Sequence, residues 1–323
     1  MLYPLTFKPI FKEVIWGGTD ILPFKGLPAD ARKIGESWEL SHVEQNFSVV
    51  SNGESTGQTI DEMIKDYGAQ LLGAKVVEQS GYTFPLLIKF IDALDNLSVQ
   101  VHPNDQLAQE RHRSCGKTEM WYVVKAAPDA ILYSGFSQPI DADEYLCRLK
   151  DDSIMEVLKK YHVKAGDVFF LPAGRVHAIG TGCFIAEIQQ TSNITYRIYD
   201  YNRKEADGSA RELHTDLAKE AIDYAFNPDY KTSYPAVNNE AVRLVQCRYF
   251  TTNLLKLTQP KLRDYATLDS FVIYMCTQGK AIMKDDKGAS LTVKQGQTIL
   301  IPANTRYITI EPAQPTWLLE TYV

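Results

Sequence analysis

Cysteine is sparse in this chain of 323 residues, and it is not arranged for bonding. Cys115, Cys147, Cys183, Cys247 and Cys276 lie far apart, are odd in number and include no CxxC pair. That pattern excludes a disulfide scaffold and a thiolate metal knuckle, and it fits a reducing, cytoplasmic setting. Positive charge is also short. Against 40 Asp and Glu stand 34 Lys and Arg, a net charge of −6, so no nucleic-acid partner is expected, because such a surface needs clustered cations. Any anion site must be local. Uninterrupted apolar sequence is missing as well. The longest stretch, FPLLIKFIDALDNLSVQVH, is broken by Lys89, Asp92 and Asp95, short of the roughly 20 apolar residues a membrane helix requires. The first residues carry Pro4, Lys8, Pro9 and Lys12 and offer no signal-peptide core, so neither secretion nor a membrane partner is expected.

With 45% hydrophobic residues and this length, the chain suits two domains or one with a large insertion. Its organising stretch is VKAGDVFFLPAGRVHAI, residues 163–179. Gly166 opens a turn, residues 167–171 form a short apolar strand, Pro172, Ala173 and Gly174 reverse it, and the returning strand carries His177. The pattern puts an imidazole at the mouth of a sheet. Upstream, strand alternation sends Gln100 and His102 to one face, and Glu119 follows in GKTEMWY. Two imidazoles, a carboxylate and a carboxamide form a nitrogen and oxygen set suited to zinc, iron or manganese in an open, catalytic site. His42, His112, His162 and His214 have no partners at strand spacing and are read as structural.

Around this set the sequence gathers cations and a hydroxyl. Lys89 and Ser98 lie on the run that leads to Gln100, Lys117 precedes Glu119 by two, and Arg197 and Arg203 follow in TYRIYDYNR. Such point charges and donors in an acidic protein suit a small bound anion, phosphate above all. Trp16 and Trp38 are read as aromatic plugs closing one end of a barrel.

The fold expected is mainly β. Residues 1–228 would form a metal-binding barrel decorated by helices at about 59–73, 103–113, 141–161, interrupted near Asp151 to Ser153, and 212–225. A linker would span 229–239, and 240–323 would form a second barrel. The second barrel is expected because VKQG…IPA at 293–303 repeats VKAG…LPA at 163–173 with a constant offset of 130. That offset carries His177 onto Tyr307, so the second copy should lack the metal site and serve a structural role.

At these residues the sequence resembles the cupin superfamily, whose second motif is G-x5-P-x-G-x2-H, and more closely the short bacterial and archaeal form of the type I mannose-6-phosphate isomerases. The likeness runs through Trp16 to Gly18, the ESWE segment at Glu36, the SVQVHP segment at Ser98, the GKTEMW segment at Gly116, Gly174 to Ala178, and the IQQ segment at Ile188 running into Tyr196 to Asp200. It implies two cupin-type jelly-roll barrels and one Zn2+ per chain on Gln100, His102, Glu119 and His177. It also implies Arg197, Lys117 and Glu187 as catalytic residues, with Lys89, Ser98 and Arg203 on the phosphate. The implied reaction interconverts mannose 6-phosphate and fructose 6-phosphate by moving a proton between C2 and C1 through a cis-enediol. Glu187, Lys117 or a zinc-bound hydroxide could serve as the base. A monomer or homodimer acting on a small sugar phosphate is expected. Competing readings are an iron-dependent cupin oxygenase, a small-cupin glucose-6-phosphate isomerase, and a non-catalytic sugar-phosphate sensor that kept the barrel without the chemistry.

Overall fold

Alternation along two groups of antiparallel strands builds the first barrel. One sheet runs Val168–Leu171, Glu119–Ala126, Cys183–Gln190, Leu86–Ala93, Ile10–Gly18, Ile34–Leu40. The facing sheet runs Leu158–His162, Ile131–Phe136, His177–Ile179, Val99–Val101, Tyr196–Tyr199. We call them the glutamate sheet and the histidine sheet. The computed structural model describes residues 2–204 and 208–323.

Inside the barrel, Trp121, Val123, Ile91 and Ile185 meet Leu132 and Ile179. The alternate residues of the glutamate sheet, Met120, Tyr122, Ile88, Phe90 and Ile188, turn outward. There they join Ile273, Met275, Leu300 and Leu319 of a second barrel in one core, shared with Ile64 and Leu72 of the intervening helices. Both faces of the central strands Leu86–Ala93 and Cys183–Gln190 are therefore buried, which is why these strands contain long apolar runs with few polar interruptions. Two of those interruptions, Lys89 in LLIKFIDA and Glu187 in CFIAEIQQ, fall on the inward face and are buried.

The second barrel has a seven-stranded sheet and a four-stranded sheet, again antiparallel. Its interior is filled by Leu255, Tyr274, Met283, Ile299, Ile308, Ile310 and Leu318 among others. The N-terminal strand Leu5–Lys8 belongs to it, pairing Leu5 with Leu300. The chain thus begins on the second barrel's sheet before entering the first.

Helices pack on the outer faces of the sheets. Ile60–Tyr67 begins with a capping box between Thr59 and Glu62, and a separate short helix, Ala69–Leu72, follows after Gly68. Asp105–His112 is capped by Asn104 and Ala142–Lys150 by Asp141. The helical stretch expected over 141–161 breaks near Asp151 to Ser153, as expected: the helix ends at Lys150 and only a single 3-10 turn, Ile154–Val157, follows. Asp152 takes φ 53°, which no helix tolerates, and Leu158–His162 is instead an edge strand on Ile131–Phe136. The alternation in LKKYH is weak because an edge strand buries little, and that hid it from the sequence. The helix expected over 212–225 is only Thr215–Ala221, because Asp223 N–H is drawn to the Gly174 carbonyl. Together with Ala142–Lys150 it covers the outer face of the histidine sheet, where Tyr145 and Ala218 pack on Val99, Val101 and Tyr196. Segment 229–239 is fastened to the first barrel. Tyr230 is buried, Lys231 pairs with Asp167 at 2.7 Å, and Tyr234 Oη donates to the Gly166 carbonyl.

Candidate active site

Three neighbouring strands of the histidine sheet put their functional residues in one row. His177 pairs directly with Gln100, and Gln100 pairs on its other side with Arg197. Residues opposite one another on antiparallel strands share a face. His102 follows Gln100 at the alternation interval, and Glu119 starts its strand on the facing sheet, opposite Leu171. The turn leading to His177 depends on Gly174, at φ 91°, where a Cβ would press on the Ala221 carbonyl and on Asp223.

His102, Glu119 and His177 converge so that one ligand atom from each lies within 4.8 Å of the others. Both rings are oriented from behind. His102 Nδ1–H donates to the Ile194 carbonyl at 3.0 Å and His177 Nδ1–H to the Arg175 carbonyl at 2.8 Å. That fixes the tautomer and leaves each Nε2 lone pair facing the cluster, as metal-binding histidines are held. Glu119 is fully buried, its oxygens 3.5 Å from His102 Nε2 and 3.3 Å from His177 Nε2. Neither oxygen accepts an aligned hydrogen bond. The nearest cation is Lys117, whose Nζ is 3.0 Å from Glu119 Oε2 and 2.9 Å from His102 Nε2. Gln100 presents its amide nitrogen to His177 Nε2 at 3.3 Å, so it would become a ligand by turning its carboxamide over. Two oriented imidazoles and a buried carboxylate with unspent lone pairs fit a divalent cation.

Electrostatics agree with the geometry. Burial, with Lys117 adding to it, pushes His177 down to about 3 and drives His102 well below its ordinary value. Both rings stay neutral, the form that binds metal. Burial raises Glu119, and Lys117 opposes that rise only in part.

Deeper in the same barrel lies a second polar row. Trp121 pairs with Glu187 and Glu187 with Lys89. Trp121 Nε1–H donates to Glu187 Oε2 at 2.8 Å, while Lys89 Nζ stands 3.2 Å from Glu187 Oε1 and 3.5 Å from Glu36. Burial alone would raise Glu187, but Lys89, Lys117 and the indole N–H together outweigh it and hold the carboxyl below its usual value. Lys89 loses less to burial than it gains from Glu36, Glu187 and Glu119, and stays an ammonium.

The chain is similar to known proteins over most of its length. The family profile described as phosphomannose isomerase type I, catalytic domain, matches residues 5–122, and that of the mannose-6-phosphate isomerase cupin domain matches residues 240–314. Mannose-6-phosphate isomerase ManA of Bacillus subtilis is 38% identical over 262 residues, covering 79% of this chain and 80% of the relative. The chain belongs to the type I phosphomannose isomerase family. A Streptococcus mutans mannose-6-phosphate isomerase is 38% identical over 222 residues, 69% of this chain and 68% of its own. The crystal structure of a mannose 6-phosphate isomerase from Bacillus subtilis superposes with a TM-score of 0.88 at 28% identity, covering 99% of both chains.

Within this phosphomannose isomerase fold, the residues singled out from sequence divide into groups. Gln100, His102, Glu119, His177 and Lys117 meet around one point, and Glu187 and Lys89 form the row beside it. Arg197 adjoins Gln100 and directs Nη1 to the Glu212 carbonyl at 2.9 Å. Ser98 is buried just ahead of the Val99–Val101 strand. Arg203 is engaged by Asp200 at 2.5 Å, by Asp95 at 3.6 Å and by the Asn96 carbonyl. Trp16 packs in the barrel core as expected of a plug. Trp38 differs, since its ring lies 5.2 Å from Lys89 Nζ and 4.6 Å from Lys12 Nζ. Sequence reading missed Trp121 and Glu36 as partners of the inner row. Their signal was period two, which places Trp121 on the face of Glu119 and Glu36 on that of Trp38. A cleft of about 1350 Å3 lies elsewhere, among His42, Asp105, His112, Gln190, Arg248 and Tyr249, and contains none of the four candidate ligands.

Proposed function

We propose that the chain interconverts mannose 6-phosphate and fructose 6-phosphate with one Zn2+ held by His102, Glu119, His177 and, after rotation of its amide, Gln100. The observation that carries this is Glu119, a fully buried carboxylate with no aligned hydrogen bond on either oxygen, between two imidazoles already fixed in the ligating tautomer. When bound, the ion would supply Lewis acidity to the substrate's C1 and C2 oxygens.

The chain's own residues supply the rest. Glu187 is the base we assign. It is buried and held ionised, and its Oε1 lacks an aligned hydrogen bond although Lys89 stands beside it. It can take the proton from one of the two carbons and return it to the other, with the cis-enediol between the two transfers. Lys89, caged by Glu36 and Glu187, keeps that carboxylate charged. Lys117, 3.0 Å from Glu119 and 2.9 Å from His102, is the group we assign to protonate and deprotonate a substrate oxygen. Arg197, in the same row as Gln100, adds fixed positive charge where negative charge grows. Ser98 and Arg203 are the groups we assign to the phosphate, so that binding energy remote from the reacting carbons positions the sugar.

The test is mannose 6-phosphate followed by proton NMR in D2O with the zinc-loaded chain, before and after chelation. Fructose 6-phosphate should appear only with metal, and deuterium at C1 would measure how far the proton held on Glu187 exchanges with solvent between the two transfers. Binding without conversion or exchange would make the chain a sensor, and oxygen consumption would make it an oxygenase.

A further inference from the structure

Asp105, at the start of the Asp105–His112 helix, is three residues past His102 and faces away from the ligand cluster. Its carboxylate gathers three segments. Oδ1 accepts Gly116 N–H at 2.9 Å and Gln190 Nε2–H at 3.0 Å, and Oδ2 accepts the Tyr249 hydroxyl at 2.7 Å. Gly116 can come this close because it lacks a side chain; a Cβ there would lie 2.7 Å from the backbone of Asn104 and Asp105. Gln190 passes the connection on, its Oε1 accepting Thr118 N–H at 2.8 Å. Thr118 Oγ1 accepts Ala173 N–H at 3.2 Å, in the turn that precedes His177. The backbone closes the circuit, with Lys117 N–H on the Pro103 carbonyl and Gly174 N–H on the His102 carbonyl. The segments carrying His102, Lys117 with Glu119, and His177 are thus tied together behind the cluster.

One member of this circuit comes from outside the first barrel. Tyr249 lies between the strands Ala241–Gln246 and Thr251–Leu257 of the second barrel. We infer that Tyr249, through Asp105, is a positioning residue for the metal ligands, so that the second barrel sets the affinity of the centre as well as covering one side of the first barrel. The inference rests on the metal reading above. Partners that orient metal ligands from behind typically change metal affinity by about 10- to 100-fold when removed. A hydroxyl acting through one carboxylate should fall at the lower end of that range.

The experiment measures Zn2+ affinity of the full chain by competition with a chromogenic chelator, for wild type, Tyr249→Phe, Asp105→Asn and the double variant, alongside thermal unfolding of each metal-free chain. Tyr249→Phe should weaken zinc about tenfold with the melting temperature of the metal-free chain nearly unchanged. The double variant should bind no more weakly than Asp105→Asn alone, because both changes interrupt one connection. Unaltered zinc affinity in Tyr249→Phe, or losses that multiply in the double variant, would overturn the inference and leave the metal reading intact. A Tyr249→Phe chain that fails to fold would assign the hydroxyl to the fold alone and overturn it equally. A wild-type chain that binds no zinc would remove the metal reading and this inference together.

Discussion

The two barrels hold a glutamate at the same place and surround it differently. In the first, Phe169, Trp121, Glu187 and Lys89 stand opposite one another across four strands. In the second, the corresponding row is Ile299, Tyr274, Glu320 and Asn253, and Phe169 and Ile299 differ by the offset of 130 seen in the sequence. Glu187 accepts one aligned hydrogen bond, from Trp121, and its other oxygen has only the adjacent charge of Lys89. Glu320 is saturated, its oxygens accepting from Asn253, from Arg263 through Nε and Nη2, and from the hydroxyls of Tyr265 and Tyr274. A buried carboxylate with every lone pair engaged is a fastening, whereas one left with acceptor capacity is a place for a proton. Position in the fold is common to both, and the neighbours decide the role.

The largest effect expected is on the His102, Glu119 and His177 cluster, which has no counterpart in the second barrel among the described residues. Glu119→Gln or His177→Ala should abolish zinc loading and turnover together, read by metal analysis and a coupled isomerase assay. Zinc retained in either variant would move the metal elsewhere. Next come the paired glutamates. Glu187→Gln should keep zinc and lose about 10²- to 10⁴-fold in kcat, the usual contribution of a general base. Glu320→Gln should leave kcat of the folded enzyme near normal and cost about 3 kcal/mol of stability, as removing one partner of a buried ion pair does. Were the two outcomes exchanged, the assignment of base and fastening would be reversed.

The pH dependence of stability sharpens the same contrast. Burial would raise Glu320, but Arg263 and the surrounding donors outweigh it and hold the carboxyl below its ordinary value. A depressed folded-state pKa contributes stability above the unfolded-state value of about 4.3 and loses it as pH falls through the folded-state value. The gap in melting temperature between wild type and Glu320→Gln should therefore be widest near neutrality and narrow below about pH 4. A gap that stays constant to acid pH would mean that Glu320 acts by shape alone.

Much of this was legible in the sequence, and what was not has physical reasons. Turn residues, alternation and the repeated VK-x-G to PA frame located His177 and the second barrel, because glycine, proline and period two act locally. Glu187, Lys89 and Trp121 are a row only after four strands have paired, and no spacing along the chain reveals a register. The same holds for Asp105 and Tyr249, separated by 144 residues. The strand at Leu158–His162 was missed because an edge strand with one fully buried residue leaves little periodicity to detect.

The smallest effect is the most informative about the repeat. The offset of 130 sets His177 against Tyr307, yet the two side chains occupy opposite faces. His177 is buried inside its barrel and Ala178 packs on the outer face. In the second barrel Ile308 and Ile310 fill the interior, and Tyr307 is 44% exposed. The turns PAGRV and PANTR are equal in length, so the chain leaves the second turn with its side chains stepped by one residue, and such a step moves every side chain to the other face. The second barrel therefore did not merely replace a histidine at an otherwise intact site; the interior position itself passed to an isoleucine. Tyr307→Ala should change stability by no more than about 0.5 kcal/mol, as exposed positions generally do, with zinc content and kcat unaltered. Tyr307→His should recruit no second zinc, since its ring would face solvent with Asp264 as its cross-strand neighbour. A second equivalent of zinc bound by that variant would show that the second barrel still offers a site on its outer face.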